Sequence, residues 1–288
     1  VSPTVMESYL NTAEKISRIA VGDPNYPVMV NTHRMPDELP QTARVRELPF
    51  GTRGGLAVNS YFPLDADYVF HVDFVGASDL KEQLEITVDG ERVQLATLET
   101  PASNGRRSRS RSPEAVEFRI SVKAGPRQVG ATFIRRNEVR NEDVLKPHWR
   151  ADKPETAVEL LTISGPYGAS GPGDTPSRQR IFVCQPESAS EEEACARRIL
   201  SSLQRRAYRR PVTNDDVDTL MAFYTEGRAE GGFEQGIQRA VRRLLVSPQF
   251  LFRIERNPPG AAPGSSHPVS DLELASRLSY FLWSSMPD

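Results

Sequence analysis

Residues 84–98, LEITVDGERVQLATL, decide the fold class. Two β-rich runs flank Asp89-Gly90, a pair suited to a two-residue hairpin turn because both turn positions require positive φ. Upstream, residues 67–76, DYVFHVDFVG, alternate polar and apolar side chains with the period of two expected of a half-buried strand. The same texture runs through GGLAVNSYF (54–62), AVEFRISVKAGPRQVGATFIRR (115–136) and AVELLTISGPY (157–167), with Gly, Pro, Asp and Asn between them. Within 115–136, KAGPRQ marks a second hairpin. Five or more short strands without a long intervening helix predict an antiparallel β-sandwich over 40–166.

Outside that region the period changes to 3.6. Residues 3–20 read as one amphipathic helix, with Val5, Tyr9, Leu10, Ala13, Ile16, Ile19 and Ala20 at helical spacing; residues 1–24 are expected to be the helical tail of an upstream domain. Residues 167–189 are rich in Gly, Pro and Ser and read as a linker, with RIFVC (180–184) as a candidate short strand. From 190 to 260 an α-helical domain is predicted. Its first helix carries the stripe Cys195, Ile199, Leu200, Leu203 and Ala207, with acids at its start and Arg205 and Arg206 near its end, as the helix dipole favours. Thr213 with Asp216 caps a second helix, a third runs from about Phe233 to Val246, and a further helical domain begins within 268–288, with Ser270 and Glu273 spaced as a capping box. The fold class is thus multidomain, a sandwich followed by a small helical bundle.

The chain has 288 residues, of which 38% are hydrophobic and 26% charged, enough apolar material for two ordinary cores. A net charge of −2 gives no reason to expect nucleic acid as partner, and no apolar run approaches the ~20 residues of a membrane span. SNGRRSRSRSP (103–113) cannot bury apolar surface and is expected to be a solvated loop without a function of its own.

Motifs for chemistry are sparse. No G-x-S-x-G, P-loop, H-E-x-x-H or dinucleotide fingerprint occurs, and without C-x-x-C-H no haem is held in this segment. An enzymatic role therefore has no motif behind it. The cysteines, Cys184 and Cys195, are either a disulfide or two free thiols. His71 reads as an ordinary strand residue. Sandwiches that hold glycans do so with aromatic faces and hydrogen-bonding side chains, in some cases organised by Ca²⁺. The candidates are Tyr61, His148 and Trp149 for a sugar, and Asp65, Asp67 and Asp89 for calcium, with Asp73 beside them. Set against this, Asp65, Asp67 and Asp89 flank strands, where Asp favours turns.

A resemblance covers nearly the whole chain. GDTPSRQRIFVC (173–184), CARRIL (195–200), RRAYRRPVT (205–213), FYTEGRAEGGFEQGIQRAVRRLLVSPQFLFRIE (223–255) and LASRLSYFLWSSMPD (274–288) resemble a family of secreted multidomain proteins of unknown function. These are abundant in planctomycetes and Acidobacteria-type bacteria and are often linked to a planctomycete-type cytochrome c module. YFPLDADYVFHV (61–72), LEITVDGERVQ (84–94) and LLTISGPYGASGPGDTPSR (160–178) resemble its middle region, a sandwich similar to calcium-dependent xylan-binding modules. The resemblance implies export to the periplasm or cell surface, which favours the disulfide. It also implies a non-catalytic segment binding polysaccharide through the sandwich, with the helical domains as spacers or docking units for the rest of the chain. The rival expectation is a scaffold for a haem-dependent electron-transfer or dehydrogenase-like enzyme whose haem module lies elsewhere.

Overall fold

The computed structural model describes residues 2–36, 38–39, 41–76, 81–98, 114–135, 156–252, 260, 262, 266 and 268–285. It divides into two compact units, Pro24–Gly173 and a second formed by Val1–Asp23 with Asp174–Asp288.

The first unit is the predicted β-sandwich. Its strands are β1 (Met29–Arg34), β2 (Thr52–Phe62), β3 (Asp65–Val75), β4 (Glu82–Val88), β5 (Glu91–Leu98), β6 (Val116–Val122), β7 (Gly125–Ile134) and β8 (Ala157–Gly171). They form two four-stranded sheets, β1-β8-β3-β6 and β2-β7-β4-β5, and every neighbouring pair is antiparallel. Strand β3 shows why the sheets stack. Ala66, Tyr68, Phe70, Val72 and Phe74 point inward and are buried, while Asp65, Asp67, Val69, His71 and Asp73 alternate with them on the outer side. Phe62, Leu64, Leu84, Ile86, Val129, Phe133 and Leu161 complete the core. The β4–β5 turn takes positive φ at both Asp89 (53°) and Gly90 (82°), as the Asp-Gly pair predicts. β1 was not foreseen, because this edge strand is exposed almost throughout and lacks alternation.

The second unit comprises α1 (Pro3–Val21), α2 (Pro176–Ile181), α3 (Glu192–Tyr208), α4 (Asn214–Leu245), α5 (Pro248–Leu251) and α6 (Asp271–Trp283). α4 is a helical hairpin, broken at Gly231 (φ −156°, ψ 20°) and Gly232 (φ 85°, ψ −167°), so the separate helices predicted on either side are both present. The stripe on α3 packs with Leu220, Met221, Tyr224, Ile237 and Leu244 of α4. Both capping boxes, Thr213 with Asp216 and Ser270 with Glu273, form as the sequence requires. Among the described residues no helix is long and apolar enough to cross a membrane.

The segment boundaries differ from expectation in two places. α1, read as the tail of an upstream domain, belongs to this helical unit. Its Val21 joins the helical core, Arg178 of α2 donates to the Val21 carbonyl, and Glu14 pairs with Arg242 of α4. The sandwich thus lies in the chain between α1 and the other helices of the unit. The stretch expected to be a linker is largely structured: β8 runs on to Gly171, and Thr175 caps α2 with Pro176 in its first turn. α2 takes up Arg180 and Ile181, so the candidate strand over RIFVC does not form. Cys184 and Cys195 are disulfide-bonded with Cα atoms 5.9 Å apart. In the chain-entropy model, closing a loop of that length contributes roughly 3 kcal/mol.

The α4 cap carries a pH dependence. Both Asp216 oxygens receive Arg210 at 2.8 Å, and Thr213 donates to the same carboxylate through its N–H and hydroxyl. The Arg210 hydrogen bonds outweigh burial and hold the carboxyl far below the usual carboxylate range. A depressed pKa stabilises the fold above the unfolded value of about 4 and loses that contribution as pH falls below it. Thermal melts between pH 6 and pH 2.5 are expected to show a downward slope that is reduced in Asp216→Asn. Equal slopes in the two proteins would exclude this carboxylate as the source.

Candidate functional site

The outer face of the β1-β8-β3-β6 sheet carries the most organised polar group in the sandwich. Register places Asp67 of β3 opposite Ser121 of β6 and opposite Tyr167 of β8, and Val69 opposite Arg119. Because β3 alternates strictly, its outward set is Asp65, Asp67, Val69, His71 and Asp73, and the facing residues of β6 are Glu117, Arg119 and Ser121. Ser121 Oγ donates to Asp67 Oδ1 at 2.5 Å and Arg119 Nε donates to Oδ2 at 3.0 Å. The Arg119 guanidinium lies 5.5 Å from the Tyr167 ring centroid, and Tyr167 Oη donates to Ser164 Oγ at 3.3 Å. Next along β3, Asp65 accepts from Lys123 Nζ at 2.8 Å and from the Ala124 N–H at 2.7 Å. A shallow depression of about 240 Å³ opens here, lined by Asp65, Asp67, Ser121, Lys123, Gly168 and Ser170.

The electrostatics follow from these contacts. Burial pushes the Asp65 carboxyl up, but the Lys123 and Ala124 hydrogen bonds outweigh it and hold the group below its ordinary value. At Asp67 the Ser121 and Arg119 hydrogen bonds do the same. Both carboxylates are therefore ionised at neutral pH and already neutralised by partners. In each ion pair the cation is the more exposed half: Arg119 60% against Asp67 37%, Lys123 78% against Asp65 17%. The depression presents hydrogen-bond donors at its rim and acceptors at its floor, an arrangement suited to hydroxyl groups, which both donate and accept.

The expected site residues are only partly brought together. Asp65 and Asp67 share the depression. Asp89 sits in the β4–β5 turn, receiving Arg127 Nη1 at 2.8 Å and the Gln128 N–H at 2.9 Å. Asp73 faces His71 Nε2 at 3.4 Å. Each of the three aspartates expected as calcium ligands is paired with a cation of its own: Asp65 with Lys123, Asp67 with Arg119 and Asp89 with Arg127. Among the described residues no group of three or more His, Cys, Asp or Glu side chains is arranged to hold a metal ion. Tyr61 lies on β2 of the other sheet, opposite Pro126. His148, Trp149 and the segment 103–113 lie outside the described residues.

Arg119, Ser121, Lys123 and Tyr167 were not singled out from the sequence. The alternation in VEFRISV (116–122) carries the signal for the first two. Tyr167 was hidden because the Gly and Pro around it read as linker.

Comparison with known proteins bears on the two units separately. Residues 195–255 match the family PSD5, described as a protein of unknown function (DUF1595). Residues 269–288 match PSD4, described as a protein of unknown function (DUF1592). Together they cover less than half of the chain, all of it helical-unit sequence, and they fit the family resemblance noted in the sequence. No curated protein sequence matches. Among solved structures, a family 35 carbohydrate binding module from Clostridium thermocellum is similar at 13% identity over 47% of this chain and 90% of that one, with a TM-score of 0.24. A ruminal GH26 endo-beta-1,4-mannanase is similar at 12% identity, covering 71% of this chain and 40% of that one, with a TM-score of 0.25. The catalytic domain of a GH87 alpha-1,3-glucanase in complex with nigerose gives 12% identity, 64% and 33% coverage and a TM-score of 0.20. The sandwich assignment stands on the strand pairing.

Proposed function

We propose that the sandwich is a polysaccharide-binding module and that the chain is a non-catalytic part of an exported protein, with the helical unit acting as a spacer or docking domain. The observation that supports this best is the group on the outer sheet face. One aromatic ring, Tyr167, is fixed beside Arg119, Asp67 and Ser121, themselves hydrogen-bonded to one another on an open surface. A sugar needs an apolar ring to meet its C–H face and several immobilised polar groups to meet its hydroxyls. The disulfide supports an oxidising compartment, as export requires.

The test is retention of the whole chain on a panel of immobilised plant and microbial polysaccharides, with Ca²⁺ and again with a chelator. At least one polysaccharide is expected to bind, and Tyr167→Ala to weaken that binding about tenfold, a loss of about 1.4 kcal/mol. Because Lys123, Arg119 and Arg127 already satisfy the aspartates, binding at this face is expected to survive the chelator. Absence of binding to the whole panel, or undiminished binding by Tyr167→Ala, would overturn the assignment of this face.

A further inference from the structure

The segment leading into β2 holds a phenylalanine out in water. Phe50 is 89% exposed, although burying such a ring would be worth about 1.5–3 kcal/mol. The backbone around it is fixed. Arg44 Nη1 donates to the Leu48 carbonyl at 2.7 Å and the Arg46 carbonyl at 3.3 Å. Thr52 Oγ1 donates to the Pro49 carbonyl at 2.7 Å, and the Arg135 N–H donates to the Gly51 carbonyl at 2.8 Å. Gly51 turns the chain at φ +80°, a value a side chain would disfavour. Leu48, two residues back, is buried. Arg44 also bridges to Gly54, and its guanidinium stands 4.4 Å from the Phe50 ring centroid. The ring is therefore braced by a cation and otherwise open to solvent.

We infer that Phe50, with Arg44, is a second sugar-stacking position of the sandwich, taking a pyranose ring of a polysaccharide. This rests on the reading of the sandwich as a polysaccharide-binding module and adds a contact in the turn before β2, whereas Tyr167 lies on β8 of the other sheet. Phenylalanine has no polar group to offer, so a partner gains only from its face, which the axial C–H groups of a pyranose fit. The guanidinium alongside supplies N–H donors for the hydroxyls at the ring edge. Bracing lowers the ordering cost on binding, since the turn needs no rearrangement to present the ring.

The experiment compares the whole chain with Phe50→Ala, Phe50→Trp and Tyr167→Ala on whichever polysaccharide the parent retains. Phe50 buries almost nothing, so all three Phe50 proteins are expected to melt together. Phe50→Ala is expected to bind about three- to tenfold more weakly. Phe50→Trp keeps the binding and adds a fluorescence change on titration with soluble polysaccharide that exceeds the parent's. If Phe50→Ala binds as the parent does while Tyr167→Ala does not, the inference is overturned and the outer-face site stands. If the parent retains no polysaccharide, the module reading fails and this inference fails with it.

Discussion

Replacing Glu82 by alanine is expected to lower the stability of the sandwich by about 3–5 kcal/mol. Glu82 Oε1 lies 2.8 Å from Arg53 Nη2, and both side chains are only 8% exposed. Phe133 of β7 pairs with Arg53 on one side and with Leu84 on the other, so the ion pair reaches across three strands. The Arg53 guanidinium covers the Phe133 ring at 4.7 Å, and Nη1 donates to the Thr156 carbonyl at 3.2 Å. Truncating the acid takes an anion away from a guanidinium held where water barely reaches, and that penalty exceeds the net worth of the intact pair. Replacing both residues with methionine removes the charge altogether, so the double variant is expected to regain most of the loss. Chemical denaturation followed by circular dichroism measures both. A loss below 1 kcal/mol for Glu82→Ala would mean that water or a neighbouring carbonyl compensates Arg53.

Such a pair shows what a sequence hides. Local periodicity revealed the sandwich because each strand repeats the same inward and outward alternation; DYVFHVDFV in β3 shows it residue by residue. The Asp89-Gly90 turn and both capping boxes were legible for the same reason: their hydrogen bonds close within three residues. Arg53 and Glu82 lie far apart in the chain and meet only through strand order, which periodicity does not encode. The candidate site divides along the same line. Asp65 and Asp67 were visible as acids near a strand end, but their hydrogen-bond partners, Ser121, Arg119 and Lys123, lie more than fifty residues away. The cations that pair with Asp65, Asp67 and Asp89 in the fold, Lys123, Arg119 and Arg127, are likewise distant in the chain. The placement of α1 was obscured similarly, since its contacts skip the whole inserted sandwich to reach Arg178 and Arg242. Exposure of Phe50 also could not be read, because an apolar residue after proline looks like any core residue.

In the helical unit the largest loss is expected from Gly236→Ala, about 2–4 kcal/mol after the gain in helix propensity is set against it. The turn at Gly231-Gly232 folds α4 back on itself, and the two arms touch through glycines. A Cβ built on Gly236 would lie 2.6 Å from Tyr224 Cδ2 and 2.7 Å from the Tyr224 carbonyl oxygen. A Cβ built on Gly227 of the first arm would likewise lie 2.8 Å from the Gln235 carbonyl oxygen, so neither arm can step back without separating the pair. Tyr224 has little room to swing, because it is buried and its ring packs edge-on against Phe233 at 5.9 Å. Alanine favours a helix over glycine by about 1 kcal/mol, and that gain is too small to offset overlap with backbone. Gly231→Ala is the matched comparison: its φ is negative, and a Cβ there would meet only the flexible Gln235 side chain, at 3.1 Å. Thermal melts of the two variants should therefore separate clearly, with Gly236→Ala well below Gly231→Ala. Nearly equal melting of all three would show that the α4 arms are not held at glycine-to-glycine distance, and the packing of Tyr224 against the hairpin would have to be redrawn.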